Sequence, residues 1–463
     1  MSYRTAVTRT ALATVAVALA ALAPPAMAQG VGAFKPTGNM TAARYSATAT
    51  LLTNGKVLLA GGNSGAGAIS SADIYDPATG KFTPTGSMGS ARYYATATRL
   101  ANGRVLIAGG YGATSMLASA EIYDPVNGQF TPTGSMNYQR EFATANLLPD
   151  GTVLVAGGAG VSSVLASAEL FDPQEGVFTE LGSSSSMGVA RDYATATSVA
   201  GGKVLVAGGD STSGFLASAE VFDPVSGSFS PTTGSLTAAR EAAGATALAD
   251  GKALVVGGYG NSGFLTSANV YDPATGNFTA TGNLGVAREV PLTVLLESGK
   301  VFVAGGWSTL GSLSGAELYD PASGRFSPTG SMVAKRAWGT ATRLADGKVL
   351  VAGGWGPSGG SGGYRSLASA EVYDPNGTPM PAVTWAVANG QRTVTATIVR
   401  LPATTYTLTA KKGSTTKTGR CTVWSAKVVC TLRPGAGNWR FAVTPRADGV
   451  AGVATTKPFS LRS

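Results

Sequence analysis

The chain contains no histidine. A Ser-His-Asp triad, an imidazole metal ligand and a histidine general base are therefore excluded. Cysteine is scarce: only Cys421 and Cys430 occur, with eight residues between them. That spacing is not the Cys-x-x-Cys of a metal or redox site, and in an exported chain it predicts a disulfide across a hairpin. Charge is also sparse, at 13% of residues against 44% hydrophobic, which supplies a large core and more than one domain. No apolar run is long enough for a membrane helix. The longest, 11–23, has 13 residues and falls short of a bilayer.

That short run belongs to a leader. Arg4 and Arg9 form a positive n-region, and Ala26-Met27-Ala28 is a cleavage site. Residues 1–28 read as a signal peptide removed after Ala28, so the expected location is secreted or periplasmic. No cysteine follows the site, which argues against a lipid anchor. The remaining charge is split. Residues 378–463 carry 12 Lys/Arg and one acid, Asp448, for +11, whereas residues 29–377 carry 20 Lys/Arg and 24 Asp/Glu, for −4. Two domains with different surfaces are implied, the basic one either simply solvated or in contact with a polyanion or envelope surface.

What is abundant is glycine, 64 residues at recurring positions. An apolar run ends in Gly-Gly seven times, from Gly61-Gly62 to Gly353-Gly354, in steps of 48, 48, 51, 49, 48 and 48. A period near 50 marks a propeller or solenoid. Within a unit, an Arg stands 18 residues before the second glycine. An alternating small and β-branched run follows, then an Asn-Gly or Asp-Gly turn favouring a type I′ hairpin. The continuous apolar run KVLLA comes next and suits a strand covered on both faces. An ASAEIYDP-like strand is stopped by Asp-Pro, and a KFTPTGSM-like segment completes four strands per unit. The fold class expected is all-β: a seven-bladed β-propeller over 29–377, then a small β-sandwich over 378–463.

The ring predicts its own closure. Seven FxPTG-like segments occur, but the first, at Phe34, precedes the first Gly-Gly and none follows the last Tyr373-Asp374-Pro375. Residues 34–40 should therefore supply the outer strand of the last blade. Two departures, a serine run at 182–187 and a Gly/Ser-rich loop at 355–366, read as surface loops, the second a candidate flap. Beyond the boundary at 376–381, short alternating strands such as RTVTATIV and KVVCTL suit an immunoglobulin-like or fibronectin type III-like sandwich.

Candidate site residues follow from the repeat. Asp73, Glu121, Glu169, Glu220, Glu317 and Glu371 share one place in six units, and such copying indicates structural anchors rather than catalysis. Arg44, Arg92, Arg140, Arg191, Arg240, Arg288 and Arg336 lie on the same end of the disc as the residues after Gly-Gly. Each Arg reads either as a structural residue, paired with a nearby carboxylate or loop carbonyl, or as a bidentate fork for a ligand carboxylate. Four have an acid directly next to them, Glu141, Asp192, Glu241 and Glu289. Tyr111, Tyr259, Trp307 and Trp355 follow Gly-Gly, vary between units, and offer stacking surfaces for sugars or peptide groups. Asp210 is the single out-of-pattern carboxylate at that end and the one feature favouring an enzyme.

The Gly-Gly pair, the aromatic-Asp-Pro strand, the following aromatic and the Arg ahead of the next inner strand resemble the Kelch motif. The repeats, over residues 31–377, resemble the central domain of galactose oxidase, and the C-terminal segment is similar to fibronectin-like modules of bacterial secreted proteins. The first resemblance implies that arginines and post-Gly-Gly tyrosines contact an acidic peptide, as in Kelch adaptors. The second would imply copper held by two tyrosines and two histidines, which a chain without histidine cannot provide. The expectation is a monomeric, non-enzymatic binding or scaffold protein without cofactor or metal. It would recognise a glycan or protein segment, possibly acidic, on an arginine and aromatic face, with no nucleic acid and no transmembrane segment. The alternatives are a lyase- or epimerase-type carbohydrate-active enzyme and a structural surface or matrix protein.

Overall fold

A computed structural model describes residues 32–358 and 363–377, and beyond them the backbone of nine strands between 383 and 461. The propeller has seven four-stranded antiparallel sheets. In blade 1 the strands are Thr48–Leu51, Val57–Ala60, Ala72–Asp76 and Lys81–Pro84, running from the axis outward. The second strand is buried at every position, and its alternation explains why. Val57 and Leu59 pack with Leu350 and Ala352 of blade 7, while Leu58 and Ala60 pack with Val105 and Ile107 of blade 2. Successive side chains point to opposite faces of a strand, and here both faces meet a neighbouring sheet.

The ring closes as the sequence predicted. Ala33–Pro36 pairs antiparallel with the Ala370–Asp374 strand, setting Phe34 opposite Tyr373. Phe34 is buried, with its ring centroid 5.0 Å from that of Tyr373. Gly32 N donates to Gly377 O at 3.0 Å, so the two ends of the propeller meet.

Glycine pairs join one blade to the next. Gly61 and Gly62 have φ of 65° and 101°, and Gly62 N donates to Arg92 O of blade 2 at 2.8 Å. A Cβ on Gly61 would collide with that same carbonyl. Only glycine combines this left-handed backbone with so close an approach.

The serine run forms a turn at 183–185, and Phe229 N of the next blade donates to Ser185 O at 3.1 Å. The blade 7 hairpin, Trp355–Pro357 with Tyr364–Ser366, has its tip outside the described residues. C-terminal strands form two antiparallel sets, of four and five. Cys421 and Cys430 are directly opposite in register, but their side chains, and so the expected disulfide, lie outside the described residues. No helix among the described residues is long and apolar enough to cross a membrane.

Candidate functional site

The seven arginines come first, because their burial bears on the choice between the two readings of them. Arg44, Arg92, Arg140, Arg191, Arg240, Arg288 and Arg336 are 0–1% exposed. Each Nη1 donates to the carbonyl of the first glycine of its own Gly-Gly, at 2.6–2.8 Å. In six blades Nη2 pairs with the strand carboxylate, Asp73, Glu121, Glu169, Glu220, Glu317 or Glu371, at 2.7–3.0 Å. Meanwhile the Arg44 backbone bonds blade 7, through its N–H to Leu367 O and its carbonyl from Gly354 N. The arginine is a staple between adjacent blades. With both Nη groups bonded inside the wall, the geometry supports the structural reading of the seven over the ligand fork, although Nε of Arg92, Arg140, Arg191 and Arg336 is buried without a partner. Burial lowers the pKa of each, and in the six paired blades the carboxylate opposes that shift.

Blade 5 differs. Asn269 stands in the place of the carboxylate, 3.4 Å from Arg240 Nη2, and its Nδ2 has no partner. Burial alone lowers Arg240 to about 10.

With the arginines withdrawn, the mouth is built from three positions per blade. The residue after each Arg forms a backbone bridge to the residue after Gly-Gly: Tyr45 with Asn63, Tyr93 with Tyr111, Glu141 with Ala159, Asp192 with Asp210, Glu241 with Tyr259, Glu289 with Trp307 and Ala337 with Trp355. The next residue in every blade is left-handed although none is glycine: Ser46, Tyr94, Phe142, Tyr193, Ala242, Val290 and Trp338 have φ of 44–53°. Such a conformation costs roughly 1–3 kcal/mol per residue unless its surroundings impose it. Here backbone bonds between blades supply the restraint, among them Ser46 N to Trp338 O at 2.8 Å and Val290 N to Ala242 O at 2.8 Å. Nothing in composition announces these positions.

The left-handed layer forms the floor. Tyr94, Phe142 and Tyr193 stack across it, with centroids 4.1 and 3.7 Å apart, and burial pushes Tyr94 up to about 12. Above the floor the wall has two halves. One is aromatic: Trp355 touches Tyr45 at 5.1 Å, Tyr45 touches Tyr93 at 6.4 Å, and Tyr93 touches Tyr111 at 5.6 Å. Trp307 extends this side through Trp338 at 5.6 Å and Tyr364 at 5.0 Å. Tyr259 stands apart, between Phe215 and Phe264.

The other half carries Glu141, Asp192, Asp210, Glu241 and Glu289. None of the three positions in any blade is Lys or Arg. The acids next to the arginines in sequence thus do not pair with them, because neighbours along an extended chain point opposite ways. Oδ1 of Asp192 and of Asp210 is buried without a hydrogen-bond partner. Burial and Asp210 push Asp192 up to about 6, and burial with Asp210, Glu289 and Asp192 pushes Glu241 up to about 7. Glu141, by burial and Asp192, and Glu289, by burial, are raised as well. This face is negative and aromatic, where the sequence suggested positive and aromatic.

Two open grooves, of about 850 and 670 Å³, lie at the other end of the disc and share Asp346, Lys348, Asp374 and Asn376. Their central charges satisfy each other, with Lys348 Nζ 2.7 Å from Asp346, so the mouth, with its unpartnered Asp192 and Asp210 Oδ1, is the stronger candidate.

Comparison with known proteins agrees with the architecture. A profile of the Kelch motif matches residues 44–89, 92–137 and 193–233. The chain is similar in fold to a fungal alcohol oxidase of the AA5 family solved with copper, at 19% identity and a TM-score of 0.61, covering 93% of this chain and 100% of that one. No curated protein matches the sequence. The residues present do not fit copper: there is no imidazole, and no group of three or more His, Cys, Asp or Glu suited to a metal exists among the described residues. The chain thus carries Kelch motifs in three stretches of a seven-bladed β-propeller.

Proposed function

We propose that this is an exported, non-enzymatic recognition protein whose ligand, a glycan or a protein segment, seats in the carboxylate and aromatic mouth. The observation that carries the reading is the two-sided wall: touching aromatic rings on one arc, five carboxylates on the other and no cation among them. Aromatic faces stack on sugar rings and attract cations, and unpaired carboxylates add to that attraction. The favoured ligand therefore carries positive charge, in place of the acidic partner suggested by the sequence. An array of glycans and of basic, neutral and acidic peptides, probed with the mature protein, tests this. Binding should be confined to cationic or stacking ligands and fall at least tenfold in Trp307→Ala with Trp355→Ala. Selective binding of acidic peptides, or indifference to both tryptophans, would refute it.

One observation favours a second reading. Asp192, raised to about 6 beside Asp210, is a carboxylate pair suited to acid and base roles in an enzyme on cationic or neutral sugars. Turnover of an array ligand that vanishes in Asp192→Asn or Asp210→Asn would establish this reading instead.

A further inference from the structure

The seven bridges of the mouth are alike in backbone and unlike in charge. In six blades the bridge holds one acid or none, and only blade 4 sets two carboxylates opposite each other, Asp192 and Asp210. These two exchange backbone hydrogen bonds, Asp192 N to Asp210 O at 3.0 Å and Asp210 N to Asp192 O at 2.9 Å. Directly opposite residues of an antiparallel pair put their side chains on one face with Cβ atoms about 5 Å apart, and like charges there repel. Both aspartates are half-buried, and Oδ1 of each is buried without a partner. One small cation between them would meet both carboxylates and end the repulsion.

Apolar rings border the pair on both strands. Phe215 stands directly opposite Asp210 on its other side, its ring 5.8 Å from that of Tyr259. Tyr193 follows Asp192 in the chain and stacks on Phe142 at 3.7 Å. The group that suits this place is a compact charge on an apolar stem, and a lysine side chain is one: an ammonium with three donors on a four-carbon chain. The planar fork of arginine needs two oxygens of one carboxylate side by side, whereas with Oδ1 buried each aspartate presents one. An amino sugar carries its ammonium on the ring itself, among hydroxyls that the apolar rings would leave unpaired. Nor does the aromatic arc line up as a platform for a run of sugar rings, since Trp355 meets Tyr45, and Tyr45 meets Tyr93, at 64°. We propose that the ligand is a protein segment and that Asp192 and Asp210 jointly take the ammonium of one of its lysines. This assignment rests on the mouth being a recognition site for cations.

Isothermal titration calorimetry of the mature full-length protein at low salt tests this, with pentalysine, penta-arginine, Nε-acetylated pentalysine and a glucosamine pentamer as probes. Pentalysine should bind roughly tenfold more tightly than penta-arginine or the glucosamine pentamer, the difference that one charge-assisted hydrogen bond makes. The acetylated peptide should not bind. Asp210→Asn keeps the shape of the side chain and removes one charge of the pair. In that variant pentalysine should fall to the level of penta-arginine, while both still bind weakly through Glu141, Glu241 and Glu289. Glu289→Gln, a change outside the pair, should weaken both peptides alike and keep the preference for lysine, which separates the pair from the general negative field of the mouth. Equal or tighter binding of penta-arginine or of the glucosamine pentamer, or a lysine preference that survives Asp210→Asn, would overturn the proposal and leave the cation-seeking mouth standing. Binding of none of the cationic probes would overturn both.

Discussion

Asn269→Asp should stabilise the propeller, and blade 1 supplies the template. There, Asp73 accepts from Arg44 Nη2 at 2.9 Å, from Thr41 Oγ1 at 2.6 Å and from Thr41 N at 3.3 Å. Asn269 Oδ1 meets the matching groups in blade 5 at 3.4, 3.0 and 3.4 Å, and its Nδ2 meets nothing. Aspartate has the same shape, removes the orphaned donor and gives the Arg240 guanidinium a counter-charge. Arg240 is lowered from 12.5 to about 10 in the folded state. A base with a depressed folded pKa penalises folding at every pH below that value, and the penalty is relieved only as pH rises through about 10 towards 12.5. At 1.36 kcal/mol per pKa unit, the cost at neutral pH is about 3 kcal/mol at most. Desolvating the new carboxylate offsets part of the gain, whereas the guanidinium is buried in either case. The net stabilisation should be about 2 kcal/mol, and with unfolding entropy of roughly 2 cal/mol/K per residue over the ring, the melting temperature should rise by about 3 °C. Differential scanning calorimetry at pH 7 and a fixed scan rate measures it, with Asp73→Asn as the mirror experiment, expected to lower the melting temperature by at least as much. A lower melting temperature for Asn269→Asp, or no response to Asp73→Asn, would refute the staple argument.

Other outcomes follow from the same structure. Asp192 and Glu241, raised to about 6 and 7, bind protons more tightly when folded, so their contribution to stability is complete in acid and is lost as pH rises through those values. The melting temperature should therefore fall between about pH 4 and 7, from the ordinary carboxylate values to the raised ones, and Asp192→Asn with Glu241→Gln should flatten that slope. Binding of a cationic ligand should run the other way, strengthening as the folded carboxylates ionise around pH 6 and 7. Phe34→Ala should cost about 3–5 kcal/mol by emptying the cluster with Phe302 and Tyr373, read from denaturant unfolding. Cys421 and Cys430 should form a disulfide in the oxidised mature protein, visible as a loss of two free thiols by mass spectrometry.

Blade number, strand order and the closing strand were legible in the sequence because they are written seven times in fixed spacing. Phe34 found its place by elimination, as a seventh outer segment without a sheet. The arginines were harder. Spacing set them at the correct end of the disc, but the direction of each guanidinium depends on the Gly-Gly carbonyl and a strand carboxylate brought back by the fold. Both partners were visible as repeats, and the gap at Asn269 was visible too. Tyr94, Phe142, Val290 and Trp338 gave no sign of a left-handed backbone, since those residue types disfavour it and only inter-blade bonding imposes it. Asp210 was legible as a carboxylate at the mouth, whereas Glu141, Asp192, Glu241 and Glu289 read through sequence adjacency as possible partners of the arginines beside them.

The most direct measurement compares matched basic and acidic peptides binding to the wild type and to Asp192→Asn, Asp210→Asn, Glu241→Gln combined. The account predicts that only the basic peptide binds, that salt weakens it, and that the triple change reduces its affinity at least tenfold while the fold persists. Equal or tighter binding of the acidic peptide, unaffected by the three substitutions, would contradict it.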